Sequence, residues 1–144
     1  MDNGVYLLVL RLSVARSLDV GALGRRAFPA GWYLYAGSAH GPGGLHARLR
    51  RHLSLDKRIR WHVDYLRFAC EFVEAWTAPL PAECECEWAR WLLEAPEAAM
   101  PVRGFGSSDC CCASHLVHFQ NRPAHEFLQS LACGDVAPVR WHGA

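Results

Sequence analysis

Apolar and β-forming residues run almost unbroken from Val5 to Leu12 and return from Trp32 to Ala36 between Gly31 and Gly37, which predicts two strands near the start of the chain. The connection, residues 13–30, has room for a short helix, expected over Val20 to Ala27. From Leu45 the apolar positions recur at 45, 49 and 53, a helical seam entered through the Gly-Pro-Gly-Gly turn at 41–44. A second helix is expected over Lys57 to Phe68, with Trp61, Tyr65 and Phe68 on one side. Residues 71–77 alternate as a half-buried strand does, and Glu83 to Glu94 reads as a helix closed by Pro96. After a long loop at 102–115, Leu116 to Phe119 reads as an edge strand and Ala124 to Leu131 as a short helix. The order is that of an α+β protein.

Composition narrows the class. A chain of 144 residues that is 51% hydrophobic can bury one core, so a single domain over 1–144 is expected. The near-neutral net charge of +1 hides an asymmetry. Arg48, Arg50, Arg51, Lys57, Arg58 and Arg60 face only Asp56 between residues 45 and 62, whereas glutamates gather between 71 and 97. That layout permits a positive face for nucleic acid. The first residues carry no positive leader and no stretch has the length of a membrane span, so a cytoplasmic protein is expected. Seven cysteines without an export signal argue for reduced thiols, and the odd count argues against a complete disulfide framework.

The candidate chemistry lies in separated blocks. Gly4-Val5-Tyr6 opens the first strand and Tyr35-Ala36-Gly37 closes the second; Arg48 follows Gly37 by eleven positions, and His52 stands one turn further on. These blocks resemble the GIY-YIG nuclease superfamily. Together with "YAGSAHGPGGLHARLRRH", "RWHVDYL", "FGSSDCCCASHL" and "ECE", they resemble its small branch known as domain of unknown function 123, over about residues 4–119, leaving 120–144 as a C-terminal tail. Val5 and Ala36 replace isoleucines, and Tyr6 and Tyr35 stand 29 positions apart, so the connection carries an insertion relative to many members.

The resemblance implies a small three-stranded antiparallel sheet flanked by helices, with a C-terminal loop and strand extension. It implies a metal-dependent endonuclease that hydrolyses DNA phosphodiesters with Mg²⁺ or Mn²⁺ in repair or nucleic-acid processing. Tyr6 is then the base, Tyr35 orients phosphate or water, Arg48 offsets phosphate charge, and His52 relays a proton or holds Tyr6. A glutamate holds the metal: Glu87, in a Glu-Trp-Ala block, is favoured, with Glu85 as the alternative. Arg50, Arg51, Lys57, Arg58 and Arg60 are expected to contact single-stranded or structured DNA, with Trp32, Trp61 and Trp88 as candidate stacking residues. The backbone of Gly41, Gly43 and Gly44 is a candidate phosphate cradle. His62, Asp64 and Asp109 fit the branch without an assigned role.

Two other classes stay open. One is a non-catalytic nucleic-acid-binding module recruited by a DNA-repair partner protein. The other is a zinc-stabilised interaction protein, for which Cys86, Cys110, Cys112 and His115 offer soft ligands for a structural Zn²⁺.

Overall fold

The computed structural model describes residues 2–107 and 112–143 of the chain. Asp109, Cys110 and Cys111 therefore lie outside the described residues. The apolar run at the start forms β1 (Gly4–Leu12), and its alternation is absolute: Tyr6, Leu8 and Leu10 enter one core, while Val5, Leu7 and Val9 enter another. A strand buried on both faces needs cover on both. The elements that supply it follow in order as β2 (Arg16–Asp19), β3 (Arg25–Phe28), β4 (Gly31–Ala39), α1 (Gly44–Leu53), α2 (His62–Ala69), β5 (Glu71–Ala78), α3 (Glu83–Leu93), β6 (Leu116–Phe119), α4 (His125–Gln129) and β7 (Val139–Arg140).

The α+β class holds, but the sheet is larger than the expected three strands. Among the described residues it has five, in the order β6-β4-β1-β5-β7, and each neighbouring pair is antiparallel. α1 and α2 close one face through Leu45, Leu49, Val63 and Leu66. α3 and α4 close the other through Trp88, Ala89, Leu92 and Leu128. The tail is integral to this packing, since β7 joins the edge of β5 and Trp141 enters the core under α1.

The helix expected over Val20 to Ala27 is replaced by a hairpin, β2 against β3, with a one-turn 3₁₀ helix at Gly21–Leu23. Gly21 and Gly24 both adopt positive φ, which favours a turn over a continuous helix. The second helix begins at His62 and not at Lys57. Asp64, fully buried, fixes that start: its carboxylate accepts the backbone N–H of Arg60 and Trp61 and holds residues 57–61 outside the helix.

Two motif glycines have a spatial reason. Tyr6 pairs with Gly37 across β1 and β4, and a Cβ on Gly37 would run into the Tyr6 ring. A Cβ on Gly4 would strike the Ala78 carbonyl on β5. Glycine is therefore the residue that lets a tyrosine lie over the neighbouring strand.

On the opposite face, the buried carboxylate of Glu74 accepts from Trp76 Nε1 at 2.8 Å and Arg122 at 2.6 Å, with His125 at 3.2 Å and Arg140 at 3.8 Å. The expectation of reduced thiols is corrected at one pair. Cys84 and Cys133 form a disulfide that ties α3 to the tail. Cys133 Sγ also lies 2.9 Å from a Glu87 oxygen, which is a contact and not a hydrogen bond because a disulfide sulfur has no proton to donate. Among the described residues no helix is long and apolar enough to cross a membrane.

Candidate active site

Alternation along β1 and β4 points Tyr6 and Tyr35 to the α1/α2 face, where α1 presents Arg48 and His52 one turn apart. Tyr6 Oη and His52 Nε2 are 2.7 Å apart, and both side chains are buried. Arg48 donates to the Ser38 carbonyl at 2.8 Å and lies over the Trp61 ring, 4.5 Å from its centroid. Arg51 covers the same ring at 4.2 Å. Two clefts meet at Trp61 and Arg60. One of about 310 Å³ is lined by Tyr35, His62 and Gly21, and another of about 260 Å³ by Arg48, Gly41 and Gly44.

The protonation states follow from burial. Desolvation pushes the Tyr6 phenol well above its ordinary value, and the charge and hydrogen bonding of Arg48 oppose that rise. Tyr35 is raised for the same reason. His52 is pushed down to about 3 by burial and the nearby Lys57 charge, so its imidazole is neutral at physiological pH. Its Nδ1 has no partner among the described residues. The tautomer of His52 sets which group donates across the contact: with the proton on Nε2 the imidazole donates to Tyr6 Oη, an arrangement that stabilises a phenolate, and with it on Nδ1 the phenol donates to Nε2. Of the two expected roles, holding Tyr6 suits the geometry, and an imidazole with so low a pKa is a poor proton relay.

The carboxylate beside this group belongs to Glu85, the second choice of the sequence. Ser38 Oγ donates to Glu85 Oε2 at 2.7 Å, and the other carboxylate oxygen lies 2.8 Å from His115 Nδ1. The Glu85 charge acts on both phenols. Glu87 instead lies exposed on α3, beside Cys133. Helix phase is the reason. The α3 seam is Cys84, Trp88, Ala89 and Leu92, and at roughly 100° per residue Glu85 stands about 35° from its centre and Glu87 about 125°. That seam was visible in the sequence and could have chosen between them. Ser38, which touches both Arg48 and Glu85, had no signal beyond its place after Gly37.

The basic residues divide. Arg51 grips both oxygens of Asp64 at 3.1 and 2.9 Å, and Lys57 Nζ stands 3.7 Å from the same carboxylate. Burial alone would raise the Asp64 carboxyl, but hydrogen bonds from Arg51, Trp61 and Arg60 outweigh it and hold the group below its ordinary value. Arg51 and Lys57 thus build the loop, whereas Arg50, Arg58 and Arg60 are exposed. One candidate role loses its basis: Trp88 is wholly buried, with no face for a base. In the candidate phosphate cradle the Gly44 N–H is spent on the Gly41 carbonyl. His62 has a positioning contact: its Nδ1 accepts the Gly106 N–H at 2.9 Å, against the Tyr35 ring.

Among the described residues, ligand atoms of Cys86, Cys112 and His115 lie within 4.8 Å of one another and could hold a metal ion; those of Cys84, Glu87 and Cys133 lie as close, but the disulfide leaves its two sulfurs no thiolate to offer. At the tyrosine site the donor set is oxygen: one carboxylate with the hydroxyls of Ser38, Tyr6 and Tyr35. That set fits a hard divalent cation that keeps most of its waters.

The site is thus an antiparallel sheet that carries two tyrosines under a helix bearing arginine and histidine. The profile of the domain of unknown function DUF123 matches residues 5–134, and the chain belongs to that family. No curated protein and no solved structure matches it.

Proposed function

We propose that this chain is a metal-dependent endonuclease of the GIY-YIG type, acting on phosphodiester bonds in single-stranded or structured DNA during repair or nucleic-acid processing. The observation that carries the reading is the Tyr6–His52 pair at 2.7 Å with Arg48 beside it and Glu85 across Ser38. Each requirement of phosphodiester hydrolysis has a matching group. Tyr6 serves as base in its phenolate form: its own proton leaves to solvent first, Arg48 and an Nε2–H on His52 favour that anion against burial, and Oη then takes the proton of the attacking water. Arg48 also turns its guanidinium toward the phosphate, stiffened by its stack on Trp61. Tyr35 orients the phosphate from the cleft that it lines. Glu85 would hold Mg²⁺ or Mn²⁺, which when bound supplies a positive charge at the phosphate oxygens. Arg58 and Arg60 would engage flanking phosphates.

A second reading is favoured by the burial of Tyr6, 2% exposed, and His52, 0% exposed. It is a nucleic-acid-binding module, recruited by a repair partner, in which the tyrosines are core residues. Incubation of the protein with labelled single-stranded, duplex, flap and junction DNAs and Mg²⁺ or Mn²⁺ separates the two. Metal-dependent cutting that is lost in Arg48→Ala and Glu85→Gln supports the nuclease; binding without cutting on every substrate supports the module.

A further inference from the structure

We propose that Cys86, Cys112 and His115 bind one Zn²⁺ ion, and that this site positions Glu85 for the tyrosine site. The first half stands on ligand geometry alone; the second rests on the nuclease reading.

Cys86 projects from α3, Cys112 from the loop that returns to the sheet, and His115 from the residue before β6. Cys86 Sγ and His115 Nε2 are 3.5 Å apart. Zinc bonds of about 2.3 Å to sulfur and 2.0 Å to nitrogen, set at the tetrahedral angle, give a ligand separation of about 3.5 Å. Cys112 Sγ completes the group within 4.8 Å, 3.7 Å from the Cys86 carbonyl. Two thiolates and an imidazole select zinc over the hard cations, which prefer oxygen. A fourth position remains for a further ligand or water.

The second observation is independent of the thiols. A metal-binding histidine characteristically donates its other ring N–H to a carboxylate, which fixes the tautomer and strengthens the ligand. His115 approaches that arrangement: Nε2 faces Cys86 and Nδ1 lies 2.8 Å from Glu85 Oε1, an ion-pair contact in which the ring N–H is not aligned on the oxygen as a hydrogen bond. The remaining Glu85 oxygen accepts from Ser38, whose carbonyl is held by Arg48. The chain of contacts therefore runs from the zinc ligands through one carboxylate to the tyrosine site. Glu85 has a reason to sit where it does before any substrate or Mg²⁺ arrives.

The test measures metal on the intact chain, purified without chelators under mild reduction. Zinc content is read by elemental mass spectrometry, and affinity by competition with a chromophoric chelator. Co²⁺ replacement reports thiolate charge-transfer bands and tetrahedral d–d bands on the wild type, so the result does not depend on a variant that folds. The expected outcome is about one zinc per chain, a loss of at least 100-fold in affinity in Cys86→Ser or Cys112→Ser, and a 10- to 100-fold loss in Glu85→Gln. A folded wild type that neither retains nor takes up zinc overturns the proposal. So does a Cys86–Cys112 disulfide in its place, or uptake that survives both serine variants, as binding at Cys84, Glu87 and Cys133 would. Stoichiometric zinc without DNA cleavage keeps the site and removes the nuclease reading, whereas cleavage by a zinc-free chain removes the site alone. Coupling is read with Mg²⁺ present: Cys86→Ser that remains folded is expected to lose at least 10-fold in cleavage while DNA affinity is retained, and unchanged cleavage overturns the positioning role.

Discussion

Tyr6 Oη and His52 Nε2 meet at 2.7 Å across 46 residues of chain, and the contact is sealed from solvent on both sides. On the nuclease reading, the neutral imidazole and Arg48 favour the phenolate of Tyr6 that serves as base. Tyr6→Phe removes the oxygen and leaves the ring. It is expected to lower the rate of DNA cleavage by roughly 10²- to 10⁴-fold with little change in DNA affinity. Single-turnover cleavage beside fluorescence anisotropy checks the split, and equal losses in both would identify Tyr6 as a packing residue.

The same burial makes the fold sensitive to acid. His52 has its pKa depressed from 6.5 to about 3. Between these values the unfolded chain takes up a proton that the native state refuses, so the contribution is intact above pH 6.5 and is lost as pH falls. An upper bound on the loss is roughly 5 kcal/mol. Urea unfolding curves from pH 7 to pH 4 are expected to show this decline, with a shallower slope in His52→Asn.

Glu85 and Glu87 are two residues apart on α3 but face different surroundings. Glu85→Gln should reduce metal-dependent cleavage at least 100-fold. Glu87→Gln should leave it within about twofold, since an exposed substitution away from a site has little effect. A cleavage titration with Mn²⁺ for both variants makes the comparison, and the reverse ranking would return the metal role to Glu87.

Gly37→Ala places a methyl group in the Tyr6 ring. Overpacking of this kind destabilises by about 1–3 kcal/mol. The urea midpoint should fall accordingly, and the double variant Gly37→Ala with Tyr6→Ala should recover part of the loss, because the clash partner is gone.

Of the arginines beside the site, Arg60 is exposed while Arg51 is locked to the buried Asp64. Arg60→Ala is expected to weaken DNA binding and reduce the slope of log affinity against log salt by about 1. Arg51→Ala should instead remove about 1–3 kcal/mol of stability, because Asp64 is left with Lys57 and two backbone N–H groups alone. Salt titrations by anisotropy and unfolding curves separate these effects.

The parts of the site that were legible in the sequence depend on local periodicity. Arg48 and His52 share a face by their four-residue spacing alone, whereas Tyr6 and Tyr35, on separate strands, share one only through the register that pairs Tyr6 with Gly37. The Glu-Trp-Ala block favours Glu87, whereas the Cys84–Trp88–Leu92 seam decides what meets the sheet and turns Glu85 toward Ser38. The hairpin at Arg16–Phe28 was hidden by four-residue strands too short for a clear alternation. β7 is two residues long and has no pattern of its own. The disulfide joins cysteines 49 residues apart, a distance over which spacing carries no information about pairing.

β7 meets β5 only at Trp76 and Thr77, yet it stands at one end of the sheet, and β6, four residues long, stands at the other. Long bare edges invite strands from other molecules, and short ones with a charge turned inward discourage them. Glu74 is such a charge, held on β5 by Arg122, His125 and Arg140. The last strand therefore shields an edge: without it, β5 would offer a second molecule the open backbone of Trp76 and Thr77, and Glu74 would lose its contact with Arg140.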